Sequence, residues 1–168
     1  MKKVVTIFTV LAMIINITAC GPKTEHRFES SFLELFDTVT TIVGYAPDEK
    51  TFTDYSQLIY NRLEEYHQLY DIYNDYDGVN NIKTINDNAG IKPVKVNQKI
   101  IDLLEFSIQM DQMTNDNVNV AFGAVLSIWH DYRTKGIDDP ISAKLPSMNE
   151  LQGMVKHTDI TKVKIDKE

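Results

Sequence analysis

The sequence predicts an α+β fold, and three observations predict it. Residues 36–45 (FDTVTTIVGY) are dense in Thr, Val and Ile, the composition of a strand. Phe52, Tyr55, Ile59, Leu63, Tyr66, Tyr70 and Tyr73 recur at steps of three and four, the period of a helix with one apolar face. Asn97 ahead of Ile101, Leu104 and Ile108, and Ser147 with Glu150 three residues on, are start signals for two further helices.

The first segment in chain order is an address. Lys2 and Lys3 precede an apolar stretch over residues 4–17, and no acidic residue occurs before Glu25. A stretch of about fourteen is short of the roughly 20 residues that a spanning helix needs, so it reads as a secretory signal peptide. Its end, Ile17-Thr18-Ala19-Cys20-Gly21, is similar to the bacterial lipobox, in which the Cys is lipidated and becomes the mature N-terminus. The expected organisation is a signal peptide over 1–19, a polar tether over 20–31 after lipidated Cys20, and a domain over 32–168. The protein is then extracytoplasmic and held at the cell membrane by the anchor at Cys20.

Composition narrows the chemistry. The 168 residues carry a formal charge of −7 with 43% hydrophobic residues, enough for one domain and too polar for a multi-span membrane protein. Cleavage before Cys20 would remove nineteen residues, two of them lysines, leaving 149 residues at a formal −9. Such an acidic chain lacks the clustered Lys and Arg that neutralise phosphates, so no nucleic-acid partner is expected. With Cys20 as the single cysteine, neither an intramolecular disulfide nor a Cys-based zinc site can be built.

The remaining elements follow from local signals. Gly44, Pro47 and Asp48 mark a turn between the strand and the Tyr-rich helix. That helix is expected to bury its stripe as core with the Tyr hydroxyls at its edge. Asn, Asp and Gly dominate residues 74–93, which predicts a long loop. The Asn97-capped helix is interrupted by polar residues 114–119. Residues 120–129 are almost wholly apolar around Gly123 and predict a buried helix, or a buried turn followed by one. A loop is expected through Gly136, Asp138, Asp139 and Pro140, then a helix from Ser147 to about His157. Val163 and Ile165 alternate with Lys, as at the start of a strand. One full strand and one half-written strand do not close a two-layer domain, so the chain is expected to carry an incomplete one.

Several motifs fail on spacing. A calcium loop with Gly78 at position six would put Tyr73 at position one and Thr84 at position twelve, where Asp and Glu are required. No phosphate-binding Gly loop and no GxSxG elbow occurs. His26, His67, His130 and His157 are too widely spaced for a metal-binding helix.

Three stretches together resemble the FAD:protein FMN transferases, the ApbE-type flavin transferase family. Phe36-Asp37-Thr38 is similar to the family's Met-Gly-Thr at the opening of a strand. The stretch from Asp71-Ile72-Tyr73 through Asn80-Asn81 to Ile85-Asn86 resembles its Ser-x-Tyr segment ending in a Leu-Asn or Phe-Asn pair. Residues 117–129 (NVNVAFGAVLSIW) resemble its Gly-Ala-Phe-Asp-Pro-Thr-Val-Gly-Pro-Leu-x-x-Leu-Trp block, with Gly123 and Trp129 at the matching spacing. A lipoprotein signal is also common in the family.

The resemblance covers the N-terminal half of a family member. It implies a T-fold-like domain with helices packed on an antiparallel sheet. It implies FAD as substrate, Mg²⁺ as cofactor, and a flavin-acceptor redox protein that receives FMN on a Thr, with release of AMP. Phe36 and Tyr73 would flank the isoalloxazine or the adenine, and Asn117, Val118 and Asn119 would line the flavin pocket. Phe36 departs from the usual Met, and Asn119 from the usual Asp. The family's metal and pyrophosphate segments, which contain Ala-Lys-Gly, Asn-Gly-Gly and Asp-Pro-x-Thr-Gly, do not occur in these 168 residues, so no metal ligand and no catalytic residue is assigned. The fragment by itself is expected to be inactive; the alternative is a non-enzymatic lipoprotein that keeps a flavin- or partner-binding half.

Overall fold

The computed structural model describes residues 24–166. The expected leader and the lipidation at Cys20 lie outside the described residues. The chain divides into two compact units, the first running to His67 and the second starting at Gln68.

In the first unit, β1 (His26–Phe32) and β2 (Thr40–Ala46) form a two-stranded antiparallel sheet in which Phe28 faces Gly44 and Phe32 faces Thr40. The residues expected to act as a tether thus supply a strand from His26 on. Only Phe28, Ser30 and Phe32 of HRFESSF turn inward, and Ser30 breaks the apolar alternation that would have announced it. The second strand starts at Thr40, because residues 36 and 37 are turn and not strand.

Helix α1 (Glu49–Tyr70) lies on this sheet over its first turns. Asp48 starts it: its carboxylate accepts the Thr51 amide at 2.8 Å, a bond that holds the Asp48 carboxyl below its ordinary range. The helix stacks Phe52 on Phe28 with ring centroids 5.5 Å apart, and Tyr60 meets Phe32 edge-on at 5.0 Å. A Cβ at Gly44 would come within 3.3 Å of the Phe52 ring, so the bare backbone of β2 is what lets that ring settle. The buried face of this part therefore runs Phe52, Ser56, Tyr60 at steps of four, while Tyr55 and Ile59 of the expected stripe are exposed. Two strands cover only a narrow band of helix, and the band includes a serine that hydrophobic periodicity cannot select. The helix also stops at Tyr70, before Tyr73.

In the second unit the expected loop over 74–93 contains a short helix, α2 (Ile82–Asp87), that was not foreseen. Helix α3 (Gln98–Met113) starts where expected, its Asn97 side chain accepting the Lys99 amide. A 3₁₀ turn (Val120–Phe122) then leads into α4 (Gly123–Asp138). This is the turn-plus-helix form of the expectation, but of its apolar residues only Val125 is buried, and Leu126 and Trp129 face outward. Helix α4 continues through Gly136, where a loop was expected; a Cβ there would sit 3.3 Å from Ala143, which folds back against it.

Helix α5 (Met148–Val155) carries the expected capping box between Ser147 and Glu150. The same Glu150 carboxylate accepts the Tyr132 hydroxyl at 3.1 Å, tying α5 to α4. Residues 163–166 form no strand among the described residues; they follow a 3₁₀ turn (Ile160–Lys162) that ends on an extended Val163. Leu69, Ile100 and Val125 are the buried apolar residues of this unit. The fold class is α+β with helix on antiparallel sheet. Among the described residues no helix is long and apolar enough to cross a membrane.

Candidate functional site

Three loops carry the residues of interest. In the first unit, Leu35 to Thr38 form a turn closed by the Thr38 amide on the Leu35 carbonyl at 3.3 Å. Phe36 and Asp37 at its centre have φ of 57° and 51°, a left-handed pair that suits Asn-Gly and strains a bulky aromatic. His67 holds the strained residue: its Nδ1 accepts the Phe36 amide at 3.2 Å, and the two rings meet edge-on at 5.4 Å. The Phe36 ring remains 43% exposed.

In the second unit Asp71 organises the loop that holds Tyr73. Its carboxylate accepts the Tyr76 hydroxyl at 2.6 Å, the Asn74 amide side chain at 2.9 Å and the Tyr73 backbone amide at 2.6 Å. Partial burial works against the charge, but these bonds override it and bring the carboxyl down to about 2. Asn81, with no exposed surface, closes the far side of the loop. It accepts the Thr84 amide at 3.0 Å and donates to the Asn74 carbonyl at 2.9 Å. Gly78, at φ 71°, takes the turn between Tyr76 and Val79. Tyr73 itself is 56% exposed and lies over His130 of α4, ring centroids 5.3 Å apart.

The third loop follows α3. Asn115 (φ 51°) ends the helix in the left-handed form, and the Asp116 amide reaches back to the Asp111 carbonyl at 3.0 Å. Asp116 is left-handed too, at φ 64°. Asn117 donates to the Thr114 carbonyl at 2.6 Å and Val118 is exposed. Asn119 is spent on structure: it accepts the Ala121 amide and donates to the Thr158 carbonyl, both at 2.8 Å. The Tyr73–His130 contact joins this block to the Tyr73 loop. Phe36 belongs to the first unit.

Residues 36–168 match the ApbE family, a span that includes the first loop from Phe36 on and the whole of the other two. The chain belongs to the ApbE family. No curated protein matches it. At the level of the family the chemistry is that of a transferase that handles a flavin. The resemblance to the family's motifs bears on two of the four left-handed non-glycine residues described. With Thr38 and Gly123 set on the family pattern, Asp37 and Asp116 stand where that pattern has Gly, and both hold the backbone conformation that Gly favours.

Sequence reasoning did not single out Asp71, Asn81 or His130. Asp71 and Asn81 lie inside the stretch that resembles the family, whereas His130 has no sequence signal, being placed only by the packing of α4. Exposed aromatic faces at Phe36 and Tyr73 fit a flat heterocycle. A cation is not provided for in the same way: among the described residues no group of three or more His, Cys, Asp or Glu side chains could hold a metal ion.

Proposed function

We propose that this chain is the flavin-binding portion of an FAD:protein FMN transferase, anchored through Cys20 outside the cytoplasm and acting toward a redox protein there. The reading is carried by the family match, whose span takes in every candidate contact residue. In the reaction a Thr Oγ of the acceptor attacks the FMN phosphorus of FAD. The new phosphoester bond forms as the P–O bond to AMP breaks, AMP leaves, and the hydroxyl proton passes to a base. This chain would contribute grip. Within the second unit, Tyr73, backed by His130, offers an aromatic face, and residues 117–119 offer backbone groups and the Asn117 amide; within the first unit, taken by itself, Phe36 offers an exposed ring. Mg²⁺ would neutralise charge on the phosphates in such a transfer. The family's metal and pyrophosphate segments do not occur in these 168 residues, and this chain by itself is proposed to bind FAD without turning it over.

Stacking on one aromatic ring is worth about 1–3 kcal/mol per base. Tyr73→Ala should therefore weaken FAD binding about tenfold or more. Titration followed by quenching of flavin fluorescence measures this, and an unchanged affinity would remove Tyr73 from the site. Incubation with FAD, Mg²⁺ and a Thr-bearing acceptor tests the second half of the reading. A fluorescent, covalently flavinylated acceptor would overturn the expected inactivity.

A further inference from the structure

Phe36 sits in the turn between β1 and β2 with left-handed backbone, φ 57°. That conformation crowds the Cβ of any residue, and a bulky aromatic has no short polar group to compensate. Asp37 beside it, at φ 51°, is of a type that tolerates the region. The Phe36 conformation therefore needs support from outside the turn.

His67 gives that support from α1, thirty-one residues further on. Its Nδ1 accepts the Phe36 amide at 3.2 Å, and its ring meets the Phe36 ring edge-on, 5.4 Å away at 86°. Nδ1 accepts only when it carries no proton, so the ring in this arrangement is neutral with its hydrogen on Nε2. Leu35 anchors the start of the turn in the core while the Phe36 ring faces outward. One hydrogen bond and the left-handed penalty are of similar size, so loss of the bond is enough to shift the turn.

We propose that His67 is a positioning residue for the flavin contact at Phe36: its neutral imidazole holds the ring outward, and protonation releases it, so the grip on FAD weakens in acid. The inference rests on the reading of Phe36 as a flavin contact. A protonated imidazole has an N–H on both nitrogens and accepts nothing, which sets a donor against the Phe36 amide. The charged residues on the two segments that meet here are Glu34 and Asp37 of the turn, and Arg62, Glu64 and Glu65 on α1. Tyr60 donates to Glu34 at 3.1 Å, and Arg62 pairs with Glu65 at 2.7 Å. Carboxylates only accept, so they do not compete with the Phe36 amide for Nδ1.

The full-length chain in mild detergent, compared at pH 8 and pH 5, spans the range in which histidine side chains change charge. Two quantities are read: protection of the Phe36 amide from hydrogen exchange, corrected for the intrinsic rate, and FAD affinity from flavin fluorescence quenching. His67→Asn places an oxygen where Nδ1 stood, and that oxygen takes no proton in this range. At pH 8 the parent and His67→Asn agree in both quantities; at pH 5 the parent is about fivefold lower in each. Any titration of His130 is common to both chains and cancels in this ratio. His67→Phe keeps an edge-on ring without the acceptor and is low at both pH values. In a Phe36→Ala background it changes affinity no further, because His67 acts through Phe36.

The parent's own amide protection needs no variant to fold. If it is level from pH 8 to pH 5, the hold of His67 on the turn is refuted. Protection that falls in acid while the affinity ratio stays at one overturns the coupling to flavin and removes Phe36 from the contact. A parent that binds no FAD at either pH defeats the flavin reading and the coupling with it, and the amide protection still decides the hold.

Discussion

Two aspartates carry backbone conformations that belong to glycine, and this sets their energetics. A left-handed residue with a Cβ is disfavoured by roughly 1–2 kcal/mol, less for Asp than for most. Asp116 (φ 64°) also places a negative charge just beyond the C-terminus of α3, where the helix dipole is negative. Asp116→Gly should therefore stabilise the chain by about 0.5–1 kcal/mol even after the added freedom of the unfolded chain is counted, and Asp116→Val should do the reverse. Urea midpoints for the pair would decide it; a glycine variant less stable than the parent would refute the strain. Asp71 makes a pH-dependent contribution. Its folded pKa of about 2 lies below the unfolded value near 3.9, so the stability it adds is complete above about pH 4 and is lost as pH falls through 2. The size is about 2 kcal/mol. Asp71→Asn should lose that much at pH 6, and the gap to the parent should close toward pH 2. If denaturation curves keep the same separation at pH 2.5 and pH 6, the carboxylate charge is not what ties the loop.

Among the elements, those with local start signals were legible and those defined by distant packing were not. Asn97 and the Ser147–Glu150 box fixed the starts of α3 and α5 because a cap is written within four residues. Strand β1 stayed hidden since its inward face includes Ser30, and the buried band of α1 was misplaced by one position because it includes Ser56. Helix α2 was hidden because its box uses Thr84 at the position where Glu or Gln is the usual signal. Segment 163–165 has a strand's alternation, with Val163 and Ile165 half-buried and Lys164 exposed, but it joins no sheet among the described residues. The candidate site divides in the same way. Phe36, Tyr73 and residues 117–119 were found through motif resemblance, while the Tyr73–His130 contact depends on how α4 packs. The left-handed turns were masked because Asp, and not Gly, stands in them. Asn81 shows what a hidden element can weigh. Its side chain is fully buried and joins Asn74 to the first turn of α2, so Asn81→Ala should cost about 2–3 kcal/mol. Exposed Asn97→Ala should cost about 1 kcal/mol. Hydrogen exchange would localise the first effect to residues 71–87 and the second to the start of α3; equal losses would mean that burial of the cap adds nothing.

At the scale of the whole molecule, the balance of buried and exposed apolar groups sets the folding behaviour. Leu35, Ala46 and Phe52 are the buried apolar residues described in the first unit, and Leu69, Ile100 and Val125 those in the second. Three polar residues, Ser56, Asn81 and Asp111, share these interiors, and one oxygen of Asp111 has no partner there. An unpaired buried polar atom subtracts about 1–3 kcal/mol from the few that apolar burial leaves over chain entropy. Meanwhile Ile141 is wholly exposed, and Ile91, Leu145 and Met148 are each about two-thirds exposed or more. Each large side chain left in water forgoes about 1.5–3 kcal/mol that a covering surface would return. Two small interiors, with this much apolar surface wet, give little drive for a single all-or-none transition. A polypeptide of these 168 residues should therefore bind a hydrophobic dye at 25 °C and lose its helical circular dichroism over a broad span of temperature. Adding a polypeptide that covers those side chains should suppress the dye signal and sharpen the melt. One steep transition, with no dye bound beforehand, would show that the two interiors suffice by themselves and that the exposed side chains await no cover.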